Sequence, residues 1–207
     1  MKNKQDDIQI IRKMMEESSR FLTLSGLSGI FAGLYALAGA AVAYFMILDS
    51  GARGLDYSFD YFRFGTNRTE LFYLLLDALV VLILALSTAW LVSYNKAKRE
   101  NKSFWTRTAK RMLVNLFIPL IAGGLFILAM LYHNDTMFVS SSLLIFYGLA
   151  LLNASKYTLG EIKYLGLSEI ATGIISLFFL GYSFVFAIFG FSILHIIYGF
   201  VMWKKYK

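Results

Sequence analysis

The sequence predicts an all-α polytopic membrane protein with six transmembrane helices, and three observations carry that reading. Hydrophobic residues make up 58% of the 207 positions and the mean hydropathy is +0.61, well outside the range of soluble globular chains. The apolar residues gather in six runs, about 21–48, 71–94, 112–132, 137–154, 159–180 and 184–203, each near the length that crosses a hydrocarbon core of about 30 Å. Lysine and arginine concentrate in alternate connections, with 17 of the 20 in segments 1–20, 95–111, 155–163 and 204–207. By the positive-inside rule both termini are expected in the cytoplasm. A chain of this length reads as one domain, here a juxtamembrane segment at 1–20 followed by a transmembrane domain at 21–207.

Composition also narrows the function classes. A net charge of +7 is compatible with nucleic-acid binding, but the basic residues flank apolar runs instead of forming a separate basic domain with stacking aromatics. With no cysteine there is no disulfide framework, thiolate metal site or thiol nucleophile. No metal-ligand cluster, phosphate loop or dinucleotide fingerprint is present, so no cofactor is expected.

Taken in order, residues 1–20 place Ile8, Ile11, Met14 and Met15 at helical spacing among nine charged residues, which predicts an amphipathic helix on the membrane surface. The apolar run that follows is too long for the core of a signal peptide and is expected to remain as a span. Within it Ser25, Gly29, Gly33 and Ala36 recur at steps of about four. Such a seam admits a second helix backbone at close range, either in another copy of the chain or inside the same bundle.

The connection 49–70 mixes Asp49, Arg53, Asp56, Asp60, Arg63, Arg68 and Glu70 with five aromatics, as expected of an interfacial segment, a lid or a partner surface. Its Asn67-Arg68-Thr69 sequon has no supporting secretory signal. After the second span, residues 95–111 carry seven basic residues and one acid, Glu100, beside Phe104 and Trp105. That pattern sets orientation and also suits anionic lipid or an acidic protein partner. The short link His133 to Thr136 requires the third and fourth spans to be antiparallel. Thr158 and Glu161 have capping-box spacing and predict the start of the fifth helix, and Gly181, Tyr182 and Ser183 form the final turn.

A register recurs three times. A basic residue is followed two positions on by Leu, and thirteen positions on by a small residue, Leu, an aromatic, any residue and Leu. The copies run from Arg20 to Leu37, Arg111 to Leu128 and Lys163 to Leu180, which predicts three related hairpins.

Few residues within the spans are able to carry chemistry. Asp77 lies about six residues into the second span, facing inward or bonded to a hydroxyl such as Tyr35 or Tyr44. Pro119 frees the carbonyl of Asn115, and reflection about the short turn puts Asn115 near the depth of Asn153. Glu169 and His195 each lie thirteen positions from Tyr182, so an antiparallel hairpin holds both about 20 Å from the turn. A lone carboxylate is expensive there. Pairing with His195 lowers that cost and leaves a proton shared by two groups that titrate as a unit, although serines such as Ser25, Ser28 or Ser168 are alternative partners.

Gly26-Leu27-Ser28-Gly29 has the Gly-x-Ser-Gly form of the rhomboid intramembrane proteases, with His195 in the last span as in those enzymes. Their serine, however, lies in the fourth span, and the His and Asn of their second span have no counterpart here. Catalysis by Ser28 and His195 is therefore not expected. The segments MMEESSRFLTLSGLSG (Met14–Gly29), LIFYGLA (Leu144–Ala150) and LHIIYG (Leu194–Gly199) resemble an uncharacterised family of six-span proteins of Bacteroidota-type bacteria. The resemblance implies a bacterial cytoplasmic (inner) membrane and supplies no activity. Three two-span units are also similar in outline to mitochondrial carriers, whose proline and charge signature is absent.

Two function classes follow. One is a small transporter or ion-coupled carrier with a cytoplasm-facing polar site drawn from Asp77, Asn115, Pro119, Asn153, Glu169 and His195. The other is a non-enzymatic sensor or scaffold acting through the N-terminal helix and the basic loop, with a protein partner or a second copy of the chain.

Overall fold

The computed structural model describes residues 25–49, 68–133 and 135–206. The expected amphipathic helix at 1–20, Arg20 and Leu22 of the first repeat, and nearly all of the 49–70 connection lie outside the described residues. Among the described residues there is no strand. The helices are α1 (Gly26–Asp49), α2 (Arg68–Arg99), α3 (Arg107–Tyr132), α4 (Val139–Ala154), α5 (Glu161–Phe178), α6 (Ser183–Ile188) and α7 (His195–Lys205). A six-residue π-helical stretch, Phe189–Leu194, joins α6 to α7 in one rod.

Among the described residues, five stretches are long and apolar enough to cross a membrane: Gly26–Met46, Phe72–Arg99, Arg107–Tyr132, Val139–Tyr157 and Leu180–Lys205. The run expected as the fifth span forms a helix, but it is not among those five, because the 18 residues of α5 carry Glu161, Lys163 and Glu169.

Local chemistry explains where the helices depart from the expected bounds. α2 continues five residues beyond Tyr94 because Lys96, Ala97, Lys98 and Arg99 are good helix formers whose charges suit a C-terminal dipole. A Schellman turn then ends it: Lys102 N donates to Ala97 O (2.9 Å) and Asn101 N to Lys98 O (3.2 Å). Asn101 takes the left-handed conformation this turn requires, with φ 51°. α3 starts at Arg107 because Thr106 caps it, its hydroxyl accepting from Ala109 N at 3.0 Å. The expected capping box does not start α5 at Thr158. Gly160 holds the cap position without a side-chain bond, and the Glu161 carboxylate instead accepts from Lys205 Nζ and Tyr206 OH. The acid that would have closed the box ties the start of α5 to the end of α7.

Packing follows two close helix crossings. α1 lies between α2 and α7, while α4 lies between α3 and α5. A Cβ built on Gly148 of α4 would stand 2.6 Å from Gly166 O of α5, and one on Gly166 would stand 2.7 Å from Gly148 O. Only glycine lets the two backbones touch in this way. On the other side, a Cβ on Gly29 would meet Gly199 Cα at 3.1 Å, and one on Gly33 would meet Ser192 O at 2.7 Å. The α1 seam is thus filled by α7 and the π stretch of the same chain, antiparallel. Of the expected seam, Gly29 and Gly33 sit at the contact together with Gly26, whereas Ser25 accepts from Leu27 N at the helix start. Ala36 is only half-buried.

The repeat register does not correspond to one packing role. Gly33 is pressed against α7, a Cβ on Gly124 would meet nothing within 4 Å, and Ser176 is fully buried. α2 is held mainly by α1. Its Leu79, Ile83, Leu86 and Leu91 remain exposed, a distribution suited to acyl chains and not to water. Its end is fastened by Phe104, which stacks on Trp90 with centroids 6.2 Å apart and packs against the cluster of Ala109, Met112 and Ala154.

Candidate functional site

Where α4, α5 and the π stretch meet, the structure buries a carboxylate, an imidazole and a phenol together. Glu169 on α5 is completely buried and His195, the first residue of α7, is 6% exposed. Their separation is 3.3 Å from Nδ1 to Oε1. His195 Nδ1 also lies 3.1 Å from Gly190 O, and Nε2 lies 2.7 Å from Tyr147 OH on α4. The Tyr147 ring stacks on the imidazole at 5.4 Å and 28°.

The protonation of this group follows from its acceptors. A carbonyl oxygen only accepts, so its approach to Nδ1 requires a proton on that nitrogen. In the neutral imidazole Nε2 then accepts from Tyr147 OH, and in the imidazolium it donates to the same oxygen. Neither Glu169 oxygen has a hydrogen-bond donor, because the Nδ1 proton is aimed at Gly190 O. The contact between Glu169 and His195 is therefore electrostatic, an ion pair when the imidazole is protonated. Gly190 makes room for it, since a Cβ there would lie 2.5 Å from Glu169 Oε2. α1 meets this region through Gly29 against His195 O and Gly33 against Ser192 O, and its residues 26–48 carry no charge.

The π stretch gives the group its geometry. An extra residue per turn shifts the side chains that follow, and such insertions often occur at functional sites. Here it brings the Gly190 carbonyl under the His195 ring, five residues on. Ser192, in the middle of the stretch, is fully buried with an unpartnered hydroxyl.

The six candidate polar residues do not form one site. Asp77 on α2 faces α1, where a Cβ on Gly39 would lie 3.1 Å from Asp77 Oδ2. Tyr35, one of its expected partners, instead shares a hydrogen bond with Thr88 at 3.2 Å. Asn115 and Asn153 meet at the α3–α4 contact: Asn153 Nδ2 donates to Asn115 O at 3.0 Å, covering the carbonyl that Pro119 leaves without its helical amide. α3 continues helical through Pro119, and Asn115 Nδ2 turns back to Arg111 O. The candidates thus divide into Asp77 by itself, Asn115 with Asn153 beside Pro119, and Glu169 with His195. The serines considered for them are engaged elsewhere, Ser28 with Ser25 O at 2.6 Å and Ser168 with Tyr198 OH at 3.5 Å.

The His195 nitrogens lie against Tyr147, Gly190 and Glu169, while the Ser28 hydroxyl is bonded to Ser25 O. Among the described residues no three His, Cys, Asp or Glu side chains converge to hold a metal ion. A cavity of about 430 Å³ near the α3–α4 link is lined by Phe126, Met130, Asp135 and Phe146 among others, and no candidate polar residue borders it. Tyr147 and Gly190 were missed by sequence reasoning, because a tyrosine or a glycine in an apolar run carries no periodic signal. The only cue to Tyr147 was its place in LIFYGLA.

No protein family, curated protein or solved structure matches this chain.

Proposed function

We propose that the chain is a six-span, proton-coupled carrier of a bacterial cytoplasmic membrane, with both ends in the cytoplasm and α5 as its fifth span. The observation that carries this reading is the enclosed pair of Glu169 and His195, in contact at 3.3 Å and linked to Tyr147. An ionisable pair deep among spanning helices is costly to maintain and is typical of proton pathways. The carboxyl and the imidazole in contact, with the phenol bonded to the imidazole, provide three groups able to hold a proton without a metal or cofactor.

The charges of α5 do not argue against a span. Glu161 and Lys163 both stand in its first turn, Glu161 bound to Lys205 and Tyr206, and Glu169 is completely buried. Eighteen residues rise about 27 Å, close to the thickness of the hydrocarbon core.

The test is proton flux into liposomes holding the purified chain, driven by an imposed membrane potential and read with an internal pH dye. Glu169→Gln and His195→Gln are each expected to lower the flux at least tenfold, with the double variant no worse than either single, because the two groups act as a unit. Glu169→Gln keeps the shape of the side chain, so its thermal unfolding is expected to stay near that of the parent. Flux unaffected by Glu169→Gln, or single effects that add, would remove the carrier reading and favour a sensor or scaffold.

A further inference from the structure

The turn between α2 and α3 is built more firmly than topology alone requires. Orientation by the positive-inside rule needs only charge in a connection. Here the connection is fixed by the Schellman turn at Asn101, by the Thr106 cap and by Phe104, which inserts between α2 and the α3–α4 contact. Phe104 carries an aromatic group with it. Trp90 stacks on it, Tyr94 and Trp105 meet it edge-on at 5.9 and 5.4 Å, and Trp105 meets Trp90 at 5.9 Å. Trp90 lies nine residues before the end of α2, about 13 Å along the helix, so the loop folds back beside the helix and sets its rings against the helix side. Trp90, Tyr94 and Trp105 are each about half exposed.

Charge completes the surface. Glu100 is the only acid in 95–111, and it is bound to Lys102 at 2.7 Å. Lys98, Arg99, Arg107, Lys110 and Arg111 are exposed around the same turn. Arg107 and Lys110 stand in the first turn of α3, where the helix dipole disfavours cations and no acid is present to offset them. Their positions are therefore not chosen for helix stability.

We propose that this surface is a seat for an anionic phospholipid, its headgroup held by Lys98, Arg99, Arg107 and Lys110 and its glycerol and upper acyl region lying on Trp90, Tyr94 and Trp105. Aromatic rings at headgroup depth with basic side chains immediately beyond them match the two ends of such a lipid. An acidic protein would have no use for the rings that face the bilayer.

The full chain carrying Trp203→Phe retains Trp90 and Trp105 as its only tryptophans. Reconstituted in phosphatidylcholine nanodiscs, it is titrated with brominated phosphatidylglycerol or brominated phosphatidylcholine at the same mole fraction, and tryptophan quenching is recorded. The expected result is quenching at least about twofold stronger by the anionic lipid, falling to parity when Lys98, Arg99, Arg107 and Lys110 are all changed to Gln. Because that variant alters the charges that orient the chain, Phe104→Ala provides a second arm that leaves every charge in place. Releasing the ring clamp is expected to reduce the preference as well. Equal quenching of the parent by the two lipids would overturn the proposal. So would a preference undiminished by Phe104→Ala, which would reduce the surface to diffuse charge.

Discussion

Replacing Tyr147 by Phe keeps the ring that stacks on His195 and removes only the hydroxyl 2.7 Å from Nε2. That nitrogen is buried. A buried polar atom left without its partner costs about 1–3 kcal/mol in soluble proteins, and hydrogen bonds between membrane helices average nearer 0.6 kcal/mol. Tyr147→Phe is therefore expected to destabilise the chain by about 1 kcal/mol in reversible unfolding from mixed micelles. Unchanged stability would mean that Nε2 has no dependence on the phenol. At this scale the sequence disclosed depth but not direction. Equal distance from Tyr182 put Glu169 and His195 at one level, and helical arithmetic put Asn115 level with Asn153. Nothing in a linear sequence says which way a π insertion turns His195, so the roles of the Gly190 carbonyl and the Tyr147 hydroxyl were not legible.

Among the described residues, the glycines divide into those that are pressed and two, Gly124 inside α3 and Gly160 at the start of α5, whose Cβ positions meet nothing within 4 Å. A Leu at Gly148 would meet the Gly166 backbone, and a Leu at Gly33 would meet Ile196 and Ser192. Each is expected to cost at least about 1–3 kcal/mol, the range for overpacked sites, and to lower the melting temperature in detergent. Gly124→Leu is the internal control, with nothing within 4 Å of its Cβ position, and is expected to leave melting nearly unchanged. Equal losses at all three positions would mean that helix propensity, not packing, sets the effect. The α1 seam was partly legible because small residues at four-residue steps mark one face. Gly148 and Gly166 sit singly in apolar runs and mark no face at all. The start of α5 shows a different limit, since the Thr158 and Glu161 spacing that signals a local cap was overridden by the Lys205 and Tyr206 contacts, which lie more than 40 residues away.

The molecule is all-helical among its described residues, and five of those helical stretches have the length and apolarity of a span. The proposed six-span topology predicts that a reporter fused at Lys207 is active in the cytoplasm and one inserted near Asp60 is active outside. An external Lys207 would leave an odd number of crossings and exclude α5 as a span. Hydropathy ranks α5 poorly because it counts Glu161 and Glu169 without knowing that one is tied to Lys205 and the other is turned inward.

The contact of α1 with α7 also constrains how the protein is made. Gly29 and Gly199 touch, yet they are 170 residues apart, and at about 5–20 residues per second the ribosome takes roughly 10–30 s to travel between them. Throughout that interval the glycine face of α1 lacks the helix that fills it in the folded chain. The chain therefore waits, inserted but unclosed, for the segment that completes its bundle, and a nascent chain halted before Gly199 would present that bare face as a mark of incompleteness to membrane proteases.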